Sequence, residues 1–168
     1  MAKRAAKSAL LNTSATPKRS GNTPAKASAR LPRGYVLDDQ IGFILRQVWQ
    51  RHTMIFARDI GSSLTPTQWA AMSKLVETGP CSQNQLGRLT AMDVATIKGV
   101  IDRLTARGLT ETSRDPQDGR RLLVRLTRAG QQLADKTAPH ALAVSKETLA
   151  PLDAKQREAL LTLLNKLR

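Results

Sequence analysis

A chain of 168 residues, 40% of them apolar, supports one globular domain with a modest core. Lysine and arginine outnumber aspartate and glutamate by 27 to 13, and the resulting +14 points to a polyanionic partner. The single cysteine, Cys81, excludes an internal disulfide and a cysteine-based zinc site, and no apolar run approaches membrane-spanning length.

Residues 1–33 hold eight basic residues, no acids and few large apolar groups, so they are expected to form a disordered basic tail. Such a composition also fits an organelle transit peptide. The rest of the chain carries 19 basic and 13 acidic residues and is still net basic, so a nucleic-acid partner does not depend on the tail.

From Leu37 to about Ile60 the pattern predicts a long helix, with Asp38 and Asp39 at its start to suit the helix dipole. All five aromatic residues, Tyr35, Phe43, Trp49, Phe56 and Trp69, fall between positions 35 and 69, together with His52. That clustering suggests a site as well as a core, although aromatic packing between two helices would account for any one of them. Leu64-Thr65-Pro66-Thr67-Gln68-Trp69 opens the next helix, with Thr65 as N-cap, Pro66 at the first position and Gln68 completing a capping box. Gly79-Pro80 stops it. Ser82-Gln83-Asn84-Gln85 repeats the cap pattern for a short helix ending near Thr90.

Asp93 then caps a helix whose stripe is Val94, Ile97, Val100, Ile101 and Leu104, and Gly108 stands where a left-handed terminator is wanted. Its other face carries Ala95, Thr96, Lys98, Gly99 and Arg103, which is small, polar and basic. Such a face suits a groove wall, with Lys and Arg reaching phosphates or guanine edges. Short helices joined by a tight turn to this one have helix-turn-helix spacing. Leu109 to Leu126 reads as a hairpin, its tip Arg114-Asp115-Pro116-Gln117-Asp118-Gly119-Arg120-Arg121 marked by Asp-Pro and Asp-Gly turns. Asp118 is expected to hold a neighbouring arginine by a charge-assisted hydrogen bond. Thr127 caps a further helix that Pro139 should bend or interrupt, and Asp153 with Gln156 caps a last one rich in leucine. A basic hairpin tip directly after a recognition helix makes a winged helix, and those leucines exceed what one small winged helix can cover.

The chain resembles the MarR family of bacterial winged-helix regulators. The residues that carry the likeness are Leu64 to Trp69, Leu86 to Leu109, the Asp115-Pro116-Gln117-Asp118-Gly119-Arg120-Arg121 wing and Leu126-Thr127-Arg128-Ala129-Gly130. One departure is Gly87, where alanine is more usual in the family; glycine there weakens the short helix by up to ~1 kcal/mol. The resemblance implies a mainly α fold with a small β-hairpin wing. The winged helix-turn-helix would span about 64–126, with dimerisation helices at about 37–60 and 127–168 in a single domain of residues 34–168. It also implies a homodimer, a double-stranded DNA operator and a cytoplasmic, nucleoid-associated bacterial protein, which argues against the transit peptide. Ser82, Gln83, Ala95, Thr96, Lys98, Gly99, Arg103, Asp118, Arg120 and Arg121 become the expected DNA contacts.

Within the family, Arg46 to His52 and Leu86 to Asp93 look most like regulators of aromatic-acid catabolism. Protocatechuate- or nicotinate-type acids are the effectors implied, with Arg46 on the carboxylate and His52 on a ring polar group. These two lie six residues apart, roughly 120° around a helix and ~9 Å along it. Trp49, Phe56, Trp69 and Met72 would supply apolar walls. A surface or interface ion pair of Arg46 with Asp38, Asp39 or an acid on another helix is the competing role. No phosphate loop, metal-ligand cluster or catalytic triad is present in the sequence, so neither an enzyme nor a cofactor is expected. Two other readings are a redox sensor using Cys81, expected as a half-buried loop cysteine, and a ligand-independent architectural DNA binder.

Overall fold

The computed structural model describes residues 32–167. The basic tail expected at 1–33 therefore lies almost wholly outside the described residues. Pro32 to Tyr35 form a turn in which the Tyr35 N–H donates to the Pro32 carbonyl at 3.1 Å.

From Val36 onward, α1 is Ile41–Ile60, α2 Pro66–Thr78, β1 Cys81–Ser82, α3 Gln83–Leu89 and α4 Val94–Ala106. Strands β2 (Thr110–Arg114) and β3 (Leu122–Leu126) follow, then α5 (Arg128–Thr148) and α6 (Ala154–Lys166). Leu37–Asp39 form a separate 3₁₀ turn, because Gln40 is extended (φ −82°, ψ 125°) and breaks the path into α1. Asp38 and Asp39 therefore do not occupy the first turn of the long helix.

The caps are local and fall where the side chains demand. Thr65 and Gln68 exchange both capping-box bonds, and so do Asp153 and Gln156. Ser82, Asp93 and Thr127 each accept an N–H from three residues on. The ends of α3 and α4 share one closure. Leu109 N–H reaches Leu104 O and Gly108 N–H reaches Thr105 O, with Gly108 at φ 68°. Met92 N–H reaches Gly87 O and Ala91 N–H reaches Arg88 O, but the left-handed residue is Ala91, at φ 52°. A left-handed alanine is strained by roughly 1 kcal/mol, and Ala91 is exposed, so glycine loses no contact there. We expect Ala91→Gly to stabilise the fold by about 0.5 kcal/mol once glycine's greater freedom in the unfolded chain is set against the strain. Urea unfolding checks this: an unchanged or lower midpoint would show that the turn is unstrained.

The larger core joins α2, α3, α4 and the sheet through Leu64, Ala71, Met72, Leu75, Leu86, Ile97, Val100, Leu104 and Val124. A smaller one joins α1 to α5 through Ile55, Phe56 and Val144, and Ile60 and Trp69 touch both. The sheet order is β1-β3-β2, antiparallel throughout, with Cys81 opposite Val124 and Thr110 opposite Leu126. β1 was not expected, and it changes the status of Cys81 from a half-buried loop residue to a strand residue only 3% exposed. Helix α5 stays continuous through Pro139, which is exposed where water can replace the backbone bond that proline lacks. Gly87 is buried. An added Cβ would stand 3.1 Å from Met92 O and 3.2 Å from Ile97 Cγ2, so its poor helix propensity is traded for close approach of α4.

Candidate nucleic-acid interface

Asp93 organises the start of α4. One carboxylate oxygen accepts the Thr96 N–H at 2.8 Å and the other the Thr96 hydroxyl at 2.7 Å. Those Thr96 bonds hold the Asp93 carboxyl below its ordinary pKa, so it caps as an anion. Ile97, Val100, Ile101 and Leu104 turn inward, which leaves Ala95, Thr96, Lys98 and Arg103 exposed and Gly99 half-exposed. Val94 departs from the expected stripe: it is 67% exposed. As first residue of the helix it precedes the turn that contacts α3. Lys98 Nζ pairs with Asp102 at 2.6 Å, and the Arg103 guanidinium lies over Gly99. A surface pair of this kind is worth only ~0.3–0.5 kcal/mol, so a phosphate can displace it.

Ser82 and Gln83 are half-buried at the start of α3, where the Ser82 hydroxyl accepts the Gln85 N–H at 3.3 Å. Gln83 lines a groove between α4 and the wing with Ile101, Asp102, Thr105 and Thr112.

The wing is shaped by its aspartates through backbone bonds. Asp115 accepts the Gln117 N–H at 2.9 Å and Asp118 the Arg120 N–H at 3.0 Å. Asp118 thus folds the tip and does not hold an arginine side chain. That task falls to Asp115, whose carboxylate stands 3.7 Å from Arg121 Nη1. Among the described residues the Arg120 guanidinium has no partner, and it projects from the turn that Asp118 makes.

The six expected effector residues do not enclose one cavity. Met72 is fully buried in the larger core and Phe56 is 3% exposed in the smaller one, so both are packing residues. What the structure brings together is Arg46, Trp49 and His52 along one ridge of α1, with the Trp49 and His52 rings stacked at 5.5 Å. His52 Nδ1 bonds Thr148 Oγ1 at 3.0 Å, and burial pushes its imidazole pKa down, which keeps it neutral. Arg46 is exposed, and no ion pair joins it to Asp38, Asp39 or another described carboxylate. Trp69 is half-buried on the wall of a different groove of about 420 Å³, between α2 and α5. A second groove of about 410 Å³ is lined by Val48, Arg51, Thr148, Leu149 and Leu152. Arg51 went unmarked in the sequence because its place beside the end of α5 is a long-range fact; it donates to the Glu147 carbonyl at 3.4 Å.

Desolvation pushes the Cys81 thiol pKa up, which disfavours the reactive thiolate. Among the described residues no group of three or more His, Cys, Asp or Glu could hold a metal, and no helix is long and apolar enough to cross a membrane.

Comparison with known proteins places this geometry. The model of the MarR family matches residues 64–122. The transcriptional repressor NicR of Pseudomonas putida is 40% identical over 134 residues, covering 79% of this chain and 85% of that protein. A probable transcriptional regulator from Pseudomonas aeruginosa superposes with a TM-score of 0.77 and 57% identity, over 79% of this chain and 100% of that one. Bordetella bronchiseptica BpsR, whose DNA binding is regulated by 6-hydroxynicotinic acid, superposes with a TM-score of 0.75 and 39% identity, over 79% and 96%.

Proposed function

This chain belongs to the MarR family, and from that premise we propose that it is a homodimeric repressor released from its operator by a small aromatic carboxylate. It is a DNA-binding transcriptional regulator and not an enzyme. The observation that carries the operator reading is the outer face of α4, exposed from Val94 to Arg103 beside a wing whose Arg120 is unpaired among the described residues. Helix and wing together would grip one half-site, and a second copy would grip the next.

A second copy also fits the apolar surface left over. Ile41, Ile44, Leu45 and Val48 on α1 are exposed, as are Leu161, Leu163, Leu164 and Leu167 at the other end of the chain, and α6 buries no residue of its own. These elements are the dimerisation region of the proposal, and 64–126 the winged helix. We place the protein in the cytoplasm, on the nucleoid.

The effector is assigned to the Arg46–Trp49–His52 ridge of α1. BpsR supports a hydroxynicotinate-like acid. Effector binding releases DNA only if the ligand binds the released geometry more tightly. We expect 6-hydroxynicotinate or protocatechuate to bind the wild type in calorimetry and displace a fluorescent operator. Arg46→Ala should keep operator affinity and lose roughly tenfold or more in effector affinity, the value of a hydrogen bond to a charged group. Equal effector affinity in both proteins moves the site elsewhere, with Arg51→Ala as the companion variant that tests the neighbouring groove. The buried, weakly acidic Cys81 gives the redox reading little support.

A further inference from the structure

The leading tip of α4 differs in chemistry from its trailing part. Val94 is the first helical residue and is 67% exposed, a β-branched apolar side chain at the edge of a shallow groove beside α3. Ala95 beside it is exposed. Thr96 gives its hydroxyl proton to Asp93 Oδ2 at 2.7 Å, so it presents its methyl group and an oxygen that can only accept. The side chains of the tip therefore offer methyl groups and one acceptor, with no free side-chain donor. The donors sit further along: Lys98, held by Asp102, and Arg103, folded over Gly99 and nine residues from Val94, or ~13 Å along the axis.

On the base edges of the major groove the one apolar feature is the C5-methyl of thymine, and small apolar side chains at a recognition helix's N-terminus are suited to it. The Asp93 carboxylate adjoining the tip repels phosphate, which favours a tip directed at base edges over one laid on the backbone. We propose that Val94 reads a thymine methyl group, so that each half-site carries a thymine whose identity this side chain enforces. This rests on the reading that α4 enters the major groove and deepens it to one atom on the DNA.

The test uses the full-length protein and the tightest duplex it selects from a randomised library. Each thymine is replaced in turn by deoxyuridine, which removes only the C5-methyl. The expected result is one position per half-site where the wild type loses about fourfold in affinity, the equivalent of ~0.8 kcal/mol for one buried methyl. Val94→Ala should lose a similar factor on the thymine duplex and become indifferent to uracil at that position, with an unchanged circular-dichroism spectrum. A wild type insensitive to uracil everywhere overturns the proposal, as does a Val94→Ala protein that remains as sensitive as the wild type. A library that yields no preferred duplex overturns the operator reading itself, which is a different result from a preferred duplex that ignores its methyls.

Discussion

Gly130→Ala should lower the melting temperature by roughly 10 °C, because an overpacked site with no room to relax is destabilised by about 3 kcal/mol or more. A Cβ at this position would lie 2.0 Å from the Leu109 carbonyl oxygen, 3.0 Å from the carbonyl carbon and 3.3 Å from Leu126 Cδ2. The first contact is with backbone, and that backbone is held from several sides. Leu109 N–H donates to Leu104 O, and Leu109 O accepts the Thr127 N–H at 3.1 Å. The Thr127 hydroxyl donates to Gly108 O at 2.7 Å while accepting the Gly130 N–H at 3.0 Å. The Leu-Thr-x-x-Gly segment is thus a clamp that seats the start of α5 on the junction between α4 and the wing. Differential scanning calorimetry reads the effect directly, and a shift within about 2 °C would mean that the junction yields. Operator affinity should fall as well if α4 is the recognition helix we propose, since the clamp joins its end to the start of α5.

Arg103→Ala and Arg120→Ala should each weaken operator binding by about tenfold, within the 1–3 kcal/mol span of a lost arginine contact. The two should differ in kind. Arg103 sits on α4, so its loss should relax sequence preference as well as affinity. Arg120 projects from the wing, so its loss should weaken all duplexes alike and reduce the salt slope by ~1 per half-site. Both side chains are exposed and neither supports the core, so the helical circular-dichroism signal should be unchanged. Anisotropy titrations over a range of salt settle the matter. Unchanged operator affinity in both variants would remove α4 and the wing from the interface.

The difference between what was legible and what was not follows from range. Thr65 with Gln68, Asp93 with Thr96, Thr127 with Gly130 and Asp153 with Gln156 all act across three residues, so the amino-acid order alone determined these helix starts. Gly61, Gly79 and Gly108 ended their helices for an equally local reason, the ease of positive φ without a Cβ. Composition determined the basic character, and the motif from Asp115 to Gly130 determined the winged-helix family.

Burial was another matter. Met72 and Trp69 lie on one helix and read alike as apolar walls, yet packing sends Met72 wholly into the core and leaves Trp69 half-exposed. Val94 shares the period of Ile97 and Ile101 but begins the helix before any neighbour covers it. Cys81 became a strand residue because β3, more than forty residues later, supplied a partner. The arginine contact expected of Asp118 fell to Asp115 because the hairpin's closure chose which carboxylate met Arg121. Periodicity and capping report each residue's own few neighbours in the chain. Which side of a helix is covered, and by what, is decided only when distant segments meet, because the free energy of burial belongs to the contact and not to either partner.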